Sequence, residues 1–192
     1  MIKANLHKCI IHRCSWVNMD NPLYVKYHDT EWGIPEHSDK KLFEMLILEC
    51  FQAGLSWECI LNKREGFRQA FDDFDAEKIS CYDEEKCLQL MANPNIIRNK
   101  LKIHACVTNS RIFMEIQKEY GSFDAYIWGF TDGKIIFESS DIRSTSPLSD
   151  QISKDLKKRG MKFVGSTVIY AYLQAIGILN AHTKECDCYK EK

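Results

Sequence analysis

The stretch NKLKIHACVTNSRIFMEIQKEY, from Asn99 to Tyr120, decides the fold class of this chain. Four apolar residues recur along it at close to the 3.6-residue period of an α-helix: Ile103, Val107, Ile112 and Ile116. Asn99 is a favourable N-cap residue, and Gly121 is a common helix stop. The stretch therefore predicts one long helix.

The helical period continues on both sides of this stretch. Caps for further helices are expected at Ser38, Ser56, Asp75, Asp83, Ser122 and Ser166. The pattern predicts a basic amphipathic helix over Ser149–Arg159 and a last helix from Thr167 to about Leu179. Only Ile135–Phe137 and Phe163–Val164 resemble strands. The chain is therefore expected to be all-α.

The chain has 192 residues, of which 45% are apolar and 28% charged, a balance typical of one globular domain. We expect an N-terminal extension over residues 1–12, a single domain over residues 13–188 and a tail over residues 189–192. No apolar run reaches the roughly 18–20 residues that span a bilayer, and the N-terminus lacks the apolar stretch of a secretory signal. The sequence thus predicts a cytoplasmic protein with no membrane partner, and we also expect a monomer.

The chain contains nine cysteines, an odd number that favours a reducing compartment over a disulfide framework. Five of them lie among apolar residues in the middle of the chain: Cys50, Cys59, Cys81, Cys87 and Cys106. We expect these five to be buried as small apolar side chains. Any exceptions are expected near the two ends.

Cysteine and histidine residues near both ends form a candidate metal site. His182 and Cys186 are four residues apart, a spacing that lets both side chains face one ion. Cys14 and His28 supply a second thiol and imidazole. A Cys2His2 set suits tetrahedral zinc and leaves no position for a water, which indicates a structural site. Spacing alone leaves the set open, because three further residues compete as ligands: Cys9, His12 and Cys188.

Glu49 follows an apolar run and precedes Cys50 and Phe51. A carboxylate there risks burial, and a buried carboxylate needs a partner. Either Glu49 faces solvent at the end of its helix, or it accepts hydrogen bonds from a ligand. Four aromatic residues lie in the surrounding motifs: Trp16, Tyr27, Trp32 and Trp57. These are either core residues or the walls of a site for a flat, cationic ring.

The net charge of −1 gives no bulk attraction to a polyanion, so any nucleic-acid contact needs local positive charge. Two basic groups qualify: Arg98, Lys100 and Lys102 at the start of the long helix, and Lys154, Lys157 and Lys158 on one helix face. The first group lies where backbone amides also bind phosphate. The second is either a phosphate contact or a solvated face.

Many separate motifs resemble, in the same order, those of the 3-methyladenine DNA glycosylase I family. They are RCSW (13–16), PLY (22–24), YHDTEWGIP (27–35), LFEML (42–46), QAGLSW (52–57), NIIRNK (95–100), KKRG (157–160), FVGST (163–167) and AH (181–182) with Cys186. The resemblance runs from about Arg13 to Cys188. It implies a helix-hairpin-helix glycosylase fold in which Cys14, His28, His182 and Cys186 bind one structural zinc, joining the two ends.

The resemblance also implies roles for individual residues. Glu49 matches the position that recognises the excised base and is the expected catalytic residue. Five residues are expected to bind the substrate base: Tyr27, Trp57, Trp16, Trp32 and Gln52. Six are expected to contact DNA: Gly54 and Leu55 in the loop that probes the duplex, Arg98, Asn99 and Lys100 where the family's hairpin grips the backbone, and Lys158.

The implied activity is hydrolysis of the N-glycosidic bond of 3-methyladenine in double-stranded DNA, with free base as product. The family lacks the catalytic aspartate of many helix-hairpin-helix glycosylases, and no lysine is evidently placed for Schiff-base chemistry, so we expect a monofunctional enzyme that leaves an abasic site. Two alternatives remain. One is an inert relative that binds lesions or a partner. The other is a metal-dependent phosphohydrolase using the pair His28-Asp29, which the thiol partners disfavour.

Overall fold

The computed structural model describes residues 11–138 and 143–189. Most of the expected extension, with Cys9, and most of the expected tail lie outside the described residues. The helices are α1 (Pro22–Thr30), α2 (Asp39–Gln52), α3 (Trp57–Leu61), α4 (Arg64–Ala70), α5 (Ala76–Ser80), α6 (Glu84–Ala92), α7 (Lys100–Tyr120), α8 (Phe123–Gly129), α9 (Pro147–Arg159) and α10 (Ser166–Ala175), with a 3-10 turn over Asp72–Phe74. Strands β1 (Ile136–Phe137) and β2 (Leu179–Asn180) pair in parallel. The predicted helical class is confirmed.

The predicted caps explain where most helices begin. The side chains of Ser56, Asp75, Asp83, Asn99 and Ser122 each accept a hydrogen bond from a backbone amide of the first helical turn. Such a bond satisfies an amide that the helix itself leaves unpaired. Ser38 precedes α2 without a side-chain bond. The sequence rules for helix starts therefore fix five of the boundaries.

Several local predictions were wrong, among them that Ser166 caps the last helix, because Gly165 is the N-cap and Ser166 the first residue of α10. Helix α9 begins at Pro147, because Ser149 occupies the third position of a capping box with Ser146. Phe163 has a φ of +57° and lies in a turn, not a strand. Helix α10 ends at Ala175, because Gly177 turns the chain with a φ of +77°. A Cβ at Gly177 would lie 2.3 Å from the carbonyl carbon of Ile34, so only glycine fits there.

Helix α2 is the central helix of the fold. All its residues from Leu42 to Phe51 are buried, which is the pattern of a helix enclosed on every side. It packs against α3, α7, α8 and α10. Glu44 and Glu49 are its two buried carboxylates. A central helix thus carries two carboxyl groups into the interior, and each needs an explanation.

The two ends of the described chain meet beside this core. The His12 amide donates to Asp187 Oδ2 at 2.8 Å, and the Asp187 amide donates to the His12 carbonyl oxygen at 2.9 Å. The Gly33 amide donates to the Gln174 carbonyl oxygen, which ties the end of α1 to α10. Among the described residues, no helix is long and apolar enough to cross a bilayer.

Eight cysteines lie in the described segments, and all are free thiols. The expectation that the middle five are buried was wrong for Cys81, which is exposed, and for Cys59, which is half-buried. Both lie on or after short helices, whose outer faces reach solvent. Cys14 and Cys186, near the ends, are buried instead.

Candidate active site

A cavity of about 200 Å³ lies at the end of α2. Nine residues line it: Trp16, Tyr24, Tyr27, Trp32, Glu49, Gln52, Trp57, Ala171 and Gln174. All six residues predicted to act on the base are among them. Sequence reasoning missed Tyr24, Ala171 and Gln174. A larger cleft of about 380 Å³ near Asp72–Phe74 contains none of the predicted site residues.

Aromatic rings form the walls of this cavity. The rings of Tyr27 and Trp57 lie 5.1 Å apart between centroids and are tilted by 46°. Trp16 meets Trp32 edge to face, with 4.7 Å between centroids. Trp16 is 38% exposed, whereas Tyr27 is only 2% exposed, so the cavity has a closed end and an open mouth. Such walls suit a flat ring and attract one that is cationic.

Glu49 lies at the closed end with no ionic partner. It is 3% exposed, and its Oε2 is buried without a hydrogen-bond partner among the described residues. Burial raises the pKa of the Glu49 carboxyl to about 8. The alternative in which Glu49 faces solvent is therefore excluded, and no contact within the described chain satisfies its Oε2.

Glu44, five residues earlier on α2, is a buried carboxylate that does have partners. Its Oε1 accepts hydrogen bonds from Arg64 Nε at 2.7 Å and from Arg68 Nε at 2.9 Å. Buried charges in proteins are normally paired in this way. The same helix thus pairs one buried carboxylate with two arginines, whereas Glu49 Oε2 has no partner among the described residues.

Trp57 provides a second unsatisfied group. Its Nε1 is buried and has no hydrogen-bond acceptor among the described residues. Unpaired buried polar atoms are uncommon in native proteins and call for a specific cause. The cavity therefore presents one acceptor, the Glu49 carboxyl, and one donor, the indole N–H, to a flat molecule between aromatic walls.

The predicted metal ligands come together in one buried cluster. The donor atoms of Cys14, His28, His182 and Cys186 all lie within 4.8 Å of one another. Cys186 Sγ is 3.4 Å from His182 Nδ1 and 3.5 Å from His28 Nε2, and Cys14 Sγ is 3.5 Å from His182 Nδ1. This cluster can hold a metal ion with two thiolates and two imidazoles.

Neighbouring groups orient both imidazoles toward the centre of the cluster. His28 Nδ1 lies 2.8 Å from Asp29 Oδ1, and Arg13 in turn donates to the Asp29 carboxylate at 2.7–3.0 Å. His182 Nε2 lies 3.1 Å from the Trp32 carbonyl oxygen. In both rings the outer nitrogen has an acceptor, which leaves the inner nitrogen free to bind a metal. Burial lowers the pKa of His182 to about 4, which keeps its imidazole neutral.

The competing ligands are less well placed. Cys188 is half-buried and belongs to a second possible group, with His28 and Asp29, rather than to the four-residue cluster. His12 is exposed and belongs to neither group among the described residues. Cys9 lies outside the described residues. The geometry therefore favours the four ligands that the sequence resemblance implied.

The metal cluster also supports the cavity wall. The Trp16 ring lies 5.3 Å from the His28 ring, and the Trp32 ring lies 4.5 Å from the His182 ring, both edge to face. Two cavity aromatics therefore rest directly on two candidate metal ligands.

The predicted DNA contacts lie outside the cavity. Gly54 and Leu55 form the loop between α2 and α3, and Leu55 is 40% exposed. Arg98, Asn99 and Lys100 are exposed around the start of α7. Lys154, Lys157 and Lys158 are all exposed on α9. These placements leave each of them available to a partner.

Lys102 does not fit the predicted phosphate contact. It is only 7% exposed, and its Nζ donates to the carbonyl oxygens of Phe51 at 2.7 Å and Ala53 at 2.6 Å. Sequence proximity to Arg98 and Lys100 was misleading, because a residue two positions along a helix points about 200° away.

Residues 16–190 match the family described as methyladenine glycosylase. The chain is 43% identical over 183 residues to DNA-3-methyladenine glycosylase 1 of Escherichia coli (strain K12), covering 93% of this chain and 97% of the relative. This chain belongs to the methyladenine glycosylase family. The resemblance drawn from the sequence motifs is thereby confirmed.

Solved structures of the methyladenine glycosylase family share the fold. The crystal structure of 3-methyladenine DNA glycosylase I superposes with a TM-score of 0.90 at 43% identity, covering 93% of this chain and 100% of that one. A Staphylococcus aureus structure, solved to explain 3-methyladenine recognition, superposes with a TM-score of 0.87 at 36% identity, covering 90% of this chain and 94% of that one. The chain therefore has the fold of the methyladenine glycosylases over 90% or more of its length.

Proposed function

We propose that this chain excises 3-methyladenine from alkylated double-stranded DNA by hydrolysing its N-glycosidic bond, as a step of base-excision repair. One observation carries the proposal: the buried, unpaired Glu49 oxygen at the closed end of an aromatic cavity. The names of the E. coli and S. aureus relatives support the choice of base. Free 3-methyladenine and an abasic site are the expected products.

Alkylation at N3 makes adenine cationic, and this charge sets the chemistry. A cationic base is attracted to the faces of Tyr27 and Trp57. It also favours the ionised form of Glu49, whose pKa burial alone holds near 8. The Glu49 carboxylate then accepts a hydrogen bond from the base, and the Trp57 N–H can donate one. Normal adenine offers no such charge, so the cavity distinguishes the two.

The same charge makes the base a good leaving group. The protein therefore has to bind the extrahelical base and admit water to the sugar C1′ rather than supply a strong acid. None of the described residues that line the cavity is a lysine, which removes the usual amine nucleophile of bifunctional glycosylases. We infer hydrolysis by water alone, and hence a monofunctional enzyme.

The target base has to leave the duplex to enter the cavity, at a cost of a few kcal/mol. We propose Leu55 as the wedge for the space that the base leaves, because its exposed side chain lies three residues after Gln52, the cavity-lining last residue of α2. Gly54, with a φ of +82°, gives the loop its turn. We infer that base flipping pairs Leu55 insertion with base entry beside Glu49.

Two helix starts are proposed to hold the DNA backbone. The first carries Arg98, Asn99 and Lys100 at the start of α7, as the sequence predicted. The second is the start of α10, where Gly165 is the N-cap and no side chain occupies the backbone amides. Only residues 160–165 separate α9 from α10, so we place the candidate helix-hairpin-helix here, and not at the start of α7 where the resemblance implied it; exposed Lys158 lies beside it. Backbone amides at a helix start bind phosphate. Those of α10 have no side-chain cap, whereas the Asn99 side chain accepts a bond from one amide of α7.

We propose that the four-residue cluster holds one structural zinc. The donor set and the fixed imidazole orientation fit Zn²⁺, and four protein ligands fill its usual tetrahedral coordination. When bound, the ion supplies a cross-link between the two ends of the domain and no reaction step. Elemental analysis is expected to find about one zinc per chain.

Free thiols in all eight described cysteines suit a reducing compartment, so we propose a cytoplasmic location.

We also propose that the protein is a monomer, since the cavity is completed within one chain. Light scattering after gel filtration tests the second point directly. A dimeric mass would contradict it.

The deciding experiment measures free base released from methylated duplex DNA by the zinc-loaded protein. We expect 3-methyladenine in the soluble fraction and abasic sites in the DNA. Binding to methylated DNA without base release would instead identify an inert lesion-binding relative. Strand cleavage at the site without added base or heat would contradict the monofunctional mechanism.

A further inference from the structure

Lys102 is a buried lysine that the mechanism above does not use. Its Nζ donates to the Phe51 and Ala53 carbonyl oxygens, the last acceptors of α2. A helix end carries partial negative charge and unpaired carbonyls, so an ammonium there is doubly favourable. No acidic side chain accepts a bond from this ammonium in the described structure, so its position depends on the end of α2.

The two hydrogen bonds from Lys102 lie between the cavity and the loop that carries Leu55. Gln52, which lines the cavity, lies between the two bonded residues. The Leu55 amide donates to the Gln52 carbonyl oxygen at 2.7 Å. The loop that carries the proposed wedge, Leu55, therefore begins at the segment that accepts the hydrogen bonds from Lys102. Glu49 lies earlier, inside the regular helix. Lys102 therefore determines the position of the loop more directly than that of the carboxylate.

The other contacts of Lys102 lead to the proposed DNA-binding elements. Its backbone amide donates to Asn99 Oδ1, the cap at the start of α7. Its ammonium lies 5.8 Å from the ring centroid of Phe163, in the connection between α9 and α10. Asn109, two turns along α7, holds the same connection through two hydrogen bonds to the Lys162 backbone, at 2.8 and 3.0 Å.

We propose that Lys102 is a positioning residue that couples DNA-backbone binding to the placement of the wedge loop over residues 53–56. It contacts the loop, the start of α7 and the α9–α10 connection at once, and it touches neither base nor phosphate. This role rests on the proposed function. In this role, Lys102 acts on base flipping rather than on base recognition.

The test compares Lys102→Met with wild type in three assays. Excision from single-stranded methylated DNA needs little flipping, whereas excision from duplex DNA needs the wedge. We expect kcat on duplex DNA to fall at least tenfold. We expect kcat on single-stranded DNA and the affinity for free 3-methyladenine, measured by tryptophan quenching, to change less than threefold. Lys102→Arg, which keeps the charge and two donors, is expected to recover most of the duplex activity.

Lys118→Met is the matched control, because Lys118 is an exposed lysine in the last turn of the same helix. It is expected to match wild type in all three assays. Melting followed by circular dichroism checks the fold. If Lys102→Met does not fold, Lys102→Gln takes its place, since an amide still donates without charge.

Equal losses on duplex DNA, single-stranded DNA and free base would overturn the positioning role and leave Lys102 as a structural cap. Unchanged duplex kcat would overturn it too. Failure of wild type to release any base is a different result, because it would remove the proposed function itself.

Discussion

Trp32 contacts His182 twice: their rings meet edge to face at 4.5 Å, and the Trp32 carbonyl oxygen lies 3.1 Å from His182 Nε2. One residue of this pair lines the cavity and the other belongs to the metal cluster. The cavity wall and the proposed zinc site are therefore in direct contact. A change that destabilises the metal cluster is therefore expected to weaken binding of the base in the cavity.

Loss of the metal is accordingly expected to weaken base binding. Cys186→Ser removes one thiolate, so we expect loss of zinc, a melting temperature lower by several degrees and at least a tenfold weaker affinity for free 3-methyladenine. Titration by tryptophan fluorescence measures the affinity. Cys81→Ser changes an exposed thiol outside the cluster and serves as the control. Unaltered base affinity in zinc-free Cys186→Ser would show that cluster and cavity are independent.

The stability of the protein should depend on pH through Glu49. Its pKa is about 8 in the folded state and near 4.5 when the chain is unfolded. A raised folded pKa gives stability that is complete below pH 4.5 and is lost as pH rises to 8, by about 1.4 kcal/mol per pH unit at most. Glu49→Gln abolishes this loss.

We therefore expect Glu49→Gln to gain stability relative to wild type across that range, with little difference near pH 4. Urea unfolding of the two proteins at pH 4, 6 and 8 measures this directly. A stability difference that stays constant over the three pH values would contradict the burial of an unpaired carboxyl.

Trp57→Phe tests the unsatisfied indole N–H. Phenylalanine keeps a flat wall but removes a buried donor that costs about 1–3 kcal/mol while unpaired. We expect the free energy of unfolding to stay the same or rise, and affinity for 3-methyladenine to fall roughly tenfold. If base affinity is unchanged, the indole N–H does not bond to the base.

Leu55→Ala tests the wedge. The side chain is 40% exposed, so its truncation should shift the melting temperature little. We expect excision from duplex DNA to fall about tenfold or more, with excision from single-stranded DNA retained. Leu88→Ala, an equally conservative change of an exposed leucine on α6, is the control. Equal activity of Leu55→Ala and wild type on duplex DNA would assign the wedge to another residue.

Local sequence signals predicted much of the fold. A cap at Asn99 and a stop at Gly121 bound α7 correctly, because cap bonds and left-handed glycines act within a few residues. The end of α10 was missed for the opposite reason. Gly177 turns the chain where it meets the Ile34 backbone, a contact between segments more than 140 positions apart that no local pattern reveals.

The residues of the site also differ in whether the local sequence could predict them. Glu49 was noticeable as a carboxylate in an apolar run, and four of the cavity aromatics followed from family motifs, while Tyr24 was missed. Ala171 and Gln174 reach the cavity from α10, and nothing in their neighbourhood distinguishes them from ordinary helix residues. Lys102 was misassigned because composition shows that a cation is present but not which way its side chain points. Long-range packing decides such positions.

The most direct test of the account compares the two buried carboxylates of α2. Glu44 is paired with Arg64 and Arg68, whereas Glu49 is unpaired in the cavity. Release of free 3-methyladenine from methylated duplex DNA is measured for wild type, Glu49→Gln and Glu44→Gln at a temperature where all three are folded. We predict that Glu49→Gln loses activity by about 100-fold or more, in the range seen when one stabilising group is removed from an active site. Glu44→Gln should lose about 3 kcal/mol of stability yet keep its activity. Wild-type base release by folded Glu49→Gln would contradict the account.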